Sequence, residues 1–336
     1  MIGDGMSAGA ATICYMNTAP SVLPLSTSND PVIAPALTAT PWRERFRNYA
    51  ELTKPRIATM ALVTVAVGFA LGAAPHFRIL DLLHTLFGSW CVAAGGSVLN
   101  CWLERRADGR MHRTKNRPVV TGKISPGGAL AFGLALSLLG VGYLAIALPS
   151  AMAAIVAAVT VVLYVAVYTP LKRMTAWNTV VGAIPGALPP LIGWAGATGG
   201  LEAPGWALFA VLFVWQLPHF YSIAFMYRED YALGGMKMLP CVEGPEGKLT
   251  GLTTLVTGVL LFATTALPFA LGATGWPYLL GAMPMAAWFV ARCYRFHRHR
   301  TVATARTVLR GSLVYLLAVM FFFVVDGIVL KRLLNV

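Results

Sequence analysis

Apolar residues recur along the chain in nine stretches that short polar segments separate. Each stretch is close to the length of about 20 residues that crosses a roughly 30 Å hydrocarbon core as an α-helix. The pattern predicts nine transmembrane helices, at residues 57–75, 79–101, 127–147, 151–169, 177–197, 205–226, 250–271, 276–294 and 311–330. Pro185, Pro189, Pro190 and Pro218 should kink the fifth and sixth of them, because proline removes a helix hydrogen bond.

The composition favours an all-α polytopic membrane protein with its helices arranged around a central cavity. Of the 336 residues, 57% are hydrophobic and only 12% are charged, against about 25% charged residues in soluble domains. The segments between the apolar stretches are too short for a large soluble domain. The five cysteines have no paired spacing, so neither a disulfide nor a zinc site is predicted.

Basic residues predict the orientation of the bundle. If the N-terminus is cytoplasmic, all of the 26 Lys and Arg residues except Arg78, Lys331 and Arg332 belong to the cytoplasmic side. This excess follows the positive-inside rule and places the C-terminus outside. It also accounts for most of the net charge of +13, so no nucleic-acid partner is expected.

The beginning of the chain differs in composition from the rest. Residues 1–48 are predicted to form a disordered cytoplasmic tail, and residues 49–336 a membrane domain. Residues 1–42 lack Lys and Arg, whereas secretory signals and mitochondrial transit peptides need basic residues, so a bacterial inner membrane is expected. Residues 42–56 are charged and aromatic, which predicts an interfacial helix before the first span.

Three oxygen-bearing side chains follow the second apolar stretch at a helical spacing. Asn100, Glu104 and Asp108 are four residues apart, so they share one face of a helix. Three basic residues come soon after them: Arg113, Lys115 and Arg117. Carboxylate and amide oxygens suit Mg²⁺, and basic side chains suit phosphate. The pattern predicts a site where a divalent cation bridges the phosphates of a substrate at the membrane boundary.

Two further polar clusters lie on the same predicted side, at residues 168–173 and 219–240. The second cluster holds Glu229 and Asp230, which could face the first carboxylates and complete a box for one or two Mg²⁺ ions. Mg²⁺ and fixed cations stabilise a departing diphosphate, and aromatic faces stabilise the allylic carbocation left behind. The candidate aromatic walls are Tyr164, Tyr168, Trp215, Phe220, Tyr221 and Phe225.

A topological explanation competes with this chemical one. Arginines at cytoplasmic helix ends are usually only topology determinants, but acidic residues contribute little to topology. The chain has only 13 acidic residues, and four of them fall in the two motifs. His219 lies inside an apolar stretch, where an ionisable residue is either functional or a satisfied core histidine.

These motifs resemble those of the UbiA-type intramembrane prenyltransferases, and among them the branch that modifies haem. The resemblance covers the chain from about Leu52 to its end. Its motifs are Leu52-Thr-Lys-Pro-Arg56; Asn100-x3-Glu104-x3-Asp108 with Met111-x-Arg-Thr-Lys-x-Arg-Pro118; Tyr168-Thr-x2-Lys-Arg173; and Trp215-Gln-x-Pro-His-Phe220 leading to Tyr227-Arg-x-Asp-Tyr231 and Met238-Leu-Pro240. Pro-His-Phe stands near where the family's second motif would have an Asp, which favours the haem branch over the quinone branch.

The resemblance implies transfer of farnesyl from farnesyl diphosphate to a vinyl group of haem b, with release of diphosphate and formation of haem O. It implies Mg²⁺ ligands at Asn100, Glu104, Asp108, Asp230 and Glu229. It implies substrate contacts from Arg113, Lys115, Arg117, Lys172, Arg173, Arg228, Lys54 and Arg56, with Tyr168 and Tyr231 orienting the substrate. His219 is either the general base for an attacking water or a ligand of the haem iron. The implied protein partner is a haem A synthase or an oxidase assembly factor.

Two other functions compete with this one. The first is a prenyltransferase for another aromatic acceptor, such as a quinone precursor, which a fuller second aspartate motif would have supported. The second is a secondary transporter, which predicts carboxylates near the bilayer centre. The carboxylates of this chain cluster at helix ends instead.

Overall fold

A computed structural model of the protein describes residues 42–73 and 77–326, and the regular structure of these two ranges is entirely helical. Residues 1–41 of the predicted tail, residues 74–75 of the first predicted span and residues 327–330 of the last one lie outside the described residues. Residues 42–48, which the tail was predicted to include, are helical instead. The helices are α1 (Trp42–Leu52), α2 (Pro55–Gly72), α3 (Ile79–Asp108), α4 (Pro126–Ala147), α5 (Met152–Val162), α6 (Thr169–Leu171), α7 (Asn178–Ala187), α8 (Pro189–Thr198), α9 (Ala203–Met226), α10 (Arg228–Leu233), α11 (Leu239–Val242), α12 (Lys248–Thr265), α13 (Leu267–Ala270), α14 (Trp276–His299) and α15 (Val302–Val324).

The predicted all-α membrane architecture is confirmed. Within the described part of the chain, eight helical segments are long and apolar enough to cross a membrane: Pro55–Gly72, Ile79–Asp108, Pro126–Ala147, Met152–Leu171, Asn178–Thr198, Ala203–Met226, Lys248–Ala270 and Val302–Val324. The predicted span at 276–294 corresponds to α14, which is 24 residues long but carries Trp, Tyr, Pro and Arg residues and falls outside this set. The count of nine spans therefore stays a prediction.

The last span begins earlier than its hydrophobicity indicates. Helix α15 starts at Val302 rather than at residue 311, because Thr301 caps it. The Thr304 backbone N–H donates to Thr301 Oγ1 (3.2 Å), and the Thr301 N–H donates to Thr304 Oγ1 (3.1 Å). These reciprocal bonds form a capping box, which extends the helix over a polar turn.

Two spans are interrupted, and prolines explain one of the breaks. The fifth span divides into α7 and α8 at Leu188, before Pro189 and Pro190. Helix α9, in contrast, continues through Pro218. The fourth span changes from α5 to a π-helical turn at Leu163–Tyr168 before it ends in α6. Such turns are rare and occur frequently at functional sites.

Glycines allow the helices around α3 to pack closely. A Cβ atom on Gly68 of α2 would lie 2.1 Å from the Pro190 carbonyl oxygen of α8, and one on Gly140 of α4 would lie 2.7 Å from the Gly88 carbonyl oxygen of α3. Small residues at such crossings let membrane helices associate through backbone contact. Helix α4 consequently packs directly against α3, and α8 packs directly against α2.

Aromatic side chains pack α9 against α12, α14 and α15. The Phe289 and Tyr315 rings stack at 5.8 Å, and Trp215 donates its indole N–H to the Ser312 carbonyl oxygen (2.8 Å). This core anchors α9, whose C-terminal end leads into the polar residues 219–240.

Candidate active site

The C-terminal part of α3 carries a row of buried polar side chains. Asn100, Glu104 and Asp108 are 2%, 5% and 0% exposed. A helix of 30 residues is roughly 45 Å long, which exceeds a hydrocarbon core of about 30 Å. The last turns of α3 can therefore reach beyond the apolar layer while remaining covered by protein.

All three side chains line a cavity of about 450 Å³. The cavity lies where α2 begins and where α3 and the π-helical turn end, and these ends share one side of an antiparallel bundle. Its acidic lining residues are Glu51, Glu104 and Asp108, and its basic ones are Lys54, Arg113, Arg117 and Lys172. Since the cations outnumber the anions, the cavity favours an anionic ligand.

Each of the three α3 side chains has a polar partner from another segment. The Glu104 carboxylate pairs with Lys172, Oε1 to Nζ 2.8 Å, and the Asp108 carboxylate pairs with Arg117. Lys54 Nζ donates to Asn100 Oδ1 (3.0 Å), and Asn100 Nδ2 donates to Thr169 Oγ1 (3.2 Å). The row on α3 is thus the centre of a network that reaches α2, the fourth span and the loop after α3.

Two lysines of this network have opposite pKa shifts. Burial lowers the pKa of Lys54 below its usual 10.5, and the neighbouring Arg117 and Lys172 act in the same direction. Burial also disfavours the charged form of Lys172, but Tyr168 and the Glu104 carboxylate outweigh it and raise the pKa of Lys172. Lys172 therefore holds its proton more strongly than a solvated lysine does, whereas Lys54 loses its proton more readily.

The carboxylates retain capacity for a further ligand. Asp108 Oδ1 is buried and makes no hydrogen bond, although a buried polar atom normally has a partner. Among the described residues, no three Asp, Glu, His or Cys side chains form a metal cluster by themselves. Two carboxylates and the Asn100 amide on one wall are nevertheless an oxygen donor set that suits Mg²⁺.

Asp230 holds the loop that follows α3. Its carboxylate oxygens accept the backbone N–H groups of His112 (2.7 Å) and Arg113 (3.1 Å). The neighbouring Tyr231 accepts a hydrogen bond from Arg113 Nη2 (3.2 Å), and the guanidinium lies 5.0 Å from the Tyr227 ring centroid. Residues 227–231 therefore position Arg113, while Asp230 itself does not line the cavity and Glu229 is exposed.

The π-helical turn brings Tyr164 and Lys172 to the cavity. The Thr169 hydroxyl donates to the Tyr164 carbonyl oxygen (2.8 Å), five residues back in the chain. The Tyr168 ring packs where Gly182 has no side chain, since a Cβ there would lie 2.3 Å from the ring. The Lys172 ammonium lies 4.6 Å from the centroid of that ring, a cation–π contact.

A second contact joins the Lys172 segment to the segment after α10. The Lys237 N–H donates to the Lys172 carbonyl oxygen (2.7 Å). The side chain of Asn178, which is fully buried, donates from Nδ2 to the carbonyl oxygens of Lys237 (3.0 Å) and Thr175 (2.6 Å). We call this arrangement the Asn178 clasp. In the sequence, the only indication of this clasp is that a polar residue, Asn178, stands at the start of an apolar stretch.

The structure does not bring every predicted site residue to the cavity. The predicted residues that line it are Asn100, Glu104, Asp108, Lys54, Arg113, Arg117, Lys172 and Tyr231. Those that do not are Arg56, Lys115, Tyr168, Arg173, His219, Arg228, Glu229 and Asp230. Of the predicted aromatic walls only Tyr164 lines it, whereas Trp215 and Phe225 are buried in the aromatic core around α9. Sequence reasoning missed Glu51, Thr169 and Asn178.

His219 lies on the side of α9 that faces α15. Its Nδ1 is 2.7 Å from Ser312 Oγ, and its ring stacks on Trp215 at 5.1 Å between centroids. The residue as a whole is partly buried within the protein.

The chain is similar to proteins of one family over most of its length. Residues 61–325 match the UbiA prenyltransferase family. The chain is 43% identical to the protoheme IX farnesyltransferase of Solibacter usitatus, over 80% of this chain and 95% of that protein. It is 42% identical to the protoheme IX farnesyltransferase of Salinibacter ruber, over 83% of this chain and 98% of that protein.

Solved structures share the same fold. A structure of digeranylgeranylglyceryl phosphate synthase matches with a TM-score of 0.70 and 20% identity, covering 85% of this chain and 99% of that one. A UbiA homologue from Archaeoglobus fulgidus bound to GPP and Mg²⁺ matches with a TM-score of 0.61 and 19% identity, over 82% and 99% of the two chains.

Proposed function

The chain belongs to the UbiA prenyltransferase family, and from this we propose that it converts haem b to haem O with farnesyl diphosphate as the prenyl donor. Its relatives at 43% and 42% identity are protoheme IX farnesyltransferases. The observation that carries the proposal is the cavity beside α3, in which two buried carboxylates, one with an oxygen atom that makes no hydrogen bond, are surrounded by four cations. That combination suits a metal-bound diphosphate.

The diphosphate would bind to the basic side chains that line the cavity: Lys54, Arg113, Arg117 and Lys172. Arg117 and Lys172 neutralise the α3 carboxylates in the free protein. They can turn to the diphosphate as its charge develops, and this stabilises the leaving group. Arg56, Lys115, Arg173 and Arg228 do not line the cavity, so their assigned contacts would have to form only with substrate bound.

Asn100, Glu104 and Asp108 would hold Mg²⁺, supported by the unpartnered Asp108 Oδ1. When bound, the ion supplies Lewis-acid stabilisation of the departing diphosphate. The proposal uses the α3 residues alone, because the predicted second pair of ligands, Asp230 and Glu229, does not line the cavity. The number of ions stays a prediction.

The reaction breaks the C1–O bond of farnesyl diphosphate and joins C1 to the terminal carbon of a haem vinyl group. Water then adds to the vinyl carbon next to the macrocycle and loses a proton, so that farnesyl and hydroxyl are added and diphosphate is released. The ring face of Tyr164 on the cavity wall suits the transient cation. His219 remains either the base for the water or a ligand of the iron, with Ser312 orienting its ring.

The basic residues of the cavity and its loops support a cytoplasmic active site and a cytoplasmic N-terminus in a bacterial inner membrane. Haem O would then pass to a haem A synthase or an oxidase assembly factor.

Mass spectrometry of haem extracted after incubation with haem b, farnesyl diphosphate and Mg²⁺ tests the proposal. We expect a product that is heavier than haem b by a farnesyl group and a hydroxyl group. Asp108→Asn should lower turnover by about 10²-fold or more, and chelation of Mg²⁺ should abolish it reversibly. Asp81→Asn is the matched control, because Asp81 pairs with Arg78 at the opposite end of the same helix. Unchanged haem together with prenylation of a quinone precursor would favour the alternative acceptor.

A further inference from the structure

Two segments that contribute to the cavity wall meet outside the cavity. Lys172 comes from the turn after the fourth span, and Tyr231 and Met236 come from the segment after α9. A hydrogen bond joins Asn178 to Lys237, which lies 59 residues further along the sequence. Their backbones are joined by the Lys237 N–H to Lys172 carbonyl bond of 2.7 Å.

The Asn178 side chain closes this junction. An asparagine amide has two N–H donors, and here the carbonyl oxygens of Thr175 and Lys237 lie 2.6 Å and 3.0 Å from Nδ2. Asn178 is 0% exposed, so no water can replace it at those carbonyls without local opening. Neither Asn178 nor Lys237 lines the cavity, and Lys237 takes part through its backbone alone.

The position of Lys172 matters because its ammonium forms a buried ion pair. The free-energy cost of removing two charges from water is offset by their mutual attraction only when the geometry of the pair is good. Lys172 directly follows α6, and its N–H still donates to the Tyr168 carbonyl oxygen (3.3 Å), whereas its own carbonyl oxygen accepts the Lys237 N–H. An amide that holds Lys237 therefore helps to hold Lys172.

We propose that Asn178 is a positioning residue for diphosphate binding, which acts on Lys172 through the Lys237 backbone. The inference rests on the proposed function for its ligand class, since it takes the diphosphate as the group that Lys172 meets. It assigns Asn178 no contact with the substrate.

The test measures binding of inorganic pyrophosphate with Mg²⁺ to the purified protein by calorimetry. Asn178→Ala should weaken binding about ten-fold, the size of one or two lost hydrogen bonds, without changing the number of sites per folded molecule. In a Lys172→Met background the same substitution should have almost no further effect, because Asn178 acts through Lys172. Equal weakening in both backgrounds, measured per folded molecule, would indicate a purely structural role for Asn178 and would overturn the proposal.

One control separates the clasp from general destabilisation. Thr254→Ala removes another fully buried polar side chain, whose hydroxyl bonds within α12, and should bind pyrophosphate normally. If Asn178→Ala does not fold, Asn178→Ser should show the same dependence on Lys172 at smaller size. Failure of the unsubstituted protein to bind pyrophosphate would instead refute the proposed function.

Discussion

The Lys172 ammonium lies 2.8 Å from the Glu104 carboxylate, although Glu104 is on α3 and Lys172 follows the fourth span. Both side chains are buried or nearly so, with 13% and 7% of the lysine and glutamate side chains exposed. A buried ion pair contributes little net stability, but the loss of one partner leaves an uncompensated charge. The pair is therefore a place where stability and substrate binding are coupled.

Removal of both partners should destabilise the protein less than the two single removals added together. We expect Glu104→Gln and Lys172→Met each to cost about 3–5 kcal/mol of unfolding free energy, and the double variant clearly less than their sum. Denaturant unfolding in detergent measures these values. The exposed Lys248–Glu246 pair, at 2.6 Å, is the control, and its disruption should have no measurable effect. Strict additivity at Glu104 and Lys172 would show that they do not interact.

Asp230→Asn should weaken diphosphate binding without changing the Mg²⁺ requirement. Its carboxylate accepts the N–H groups of His112 and Arg113, so its loss should release the loop that carries the Arg113 guanidinium. We expect the KM for farnesyl diphosphate to rise about ten-fold. Glu229→Gln, a change at the exposed neighbour, is the control. A rise in the Mg²⁺ concentration for half-maximal rate would instead support Asp230 as a metal ligand.

The pH dependence of diphosphate affinity should follow Lys54. Its pKa is lowered from the usual 10.5, so it loses its charge at a lower pH than a solvated lysine does. Only the charged form attracts an anion, so affinity should fall as the pH rises through the range below 10.5. Lys54→Arg should remove this fall, because arginine keeps its proton up to about pH 12. Titrations with pyrophosphate across this pH range test the assignment. An affinity of the unsubstituted protein that does not change with pH would contradict it.

The role of His219 can be separated from that of the cavity. His219→Ala should impair use of haem b while leaving pyrophosphate affinity unchanged, because the ring packs on Trp215 and Ser312 and does not line the cavity. Ser312→Ala, which removes the partner of Nδ1, should give a smaller loss of the same kind. Kinetics with each substrate varied in turn would show this, and an equal effect on both substrates would indicate a structural histidine.

The contacts of Asp230 show what a motif can and cannot predict. Its place in the acidic pair Glu229–Asp230 predicted a metal ligand, which stays a prediction, and in the fold its oxygens accept the backbone N–H groups of residues 112 and 113. Sequence spacing could not predict this contact, because His112 and Asp230 are 118 residues apart in the chain. The start of α15 was also missed, since a capping box lies outside the apolar stretch that signals the span.

By itself the sequence determined the all-α membrane architecture and the shared face of Asn100, Glu104 and Asp108. Both follow from local rules, the length of apolar stretches and the helical period, which depend on no distant part of the chain. Only the tertiary structure decided which cations meet those side chains, that Asp230 holds a loop, and that Asn178 links two cavity segments. These relations depend on how the helices pack and where their breaks lie, and packing is a property of residues that are far apart in the chain.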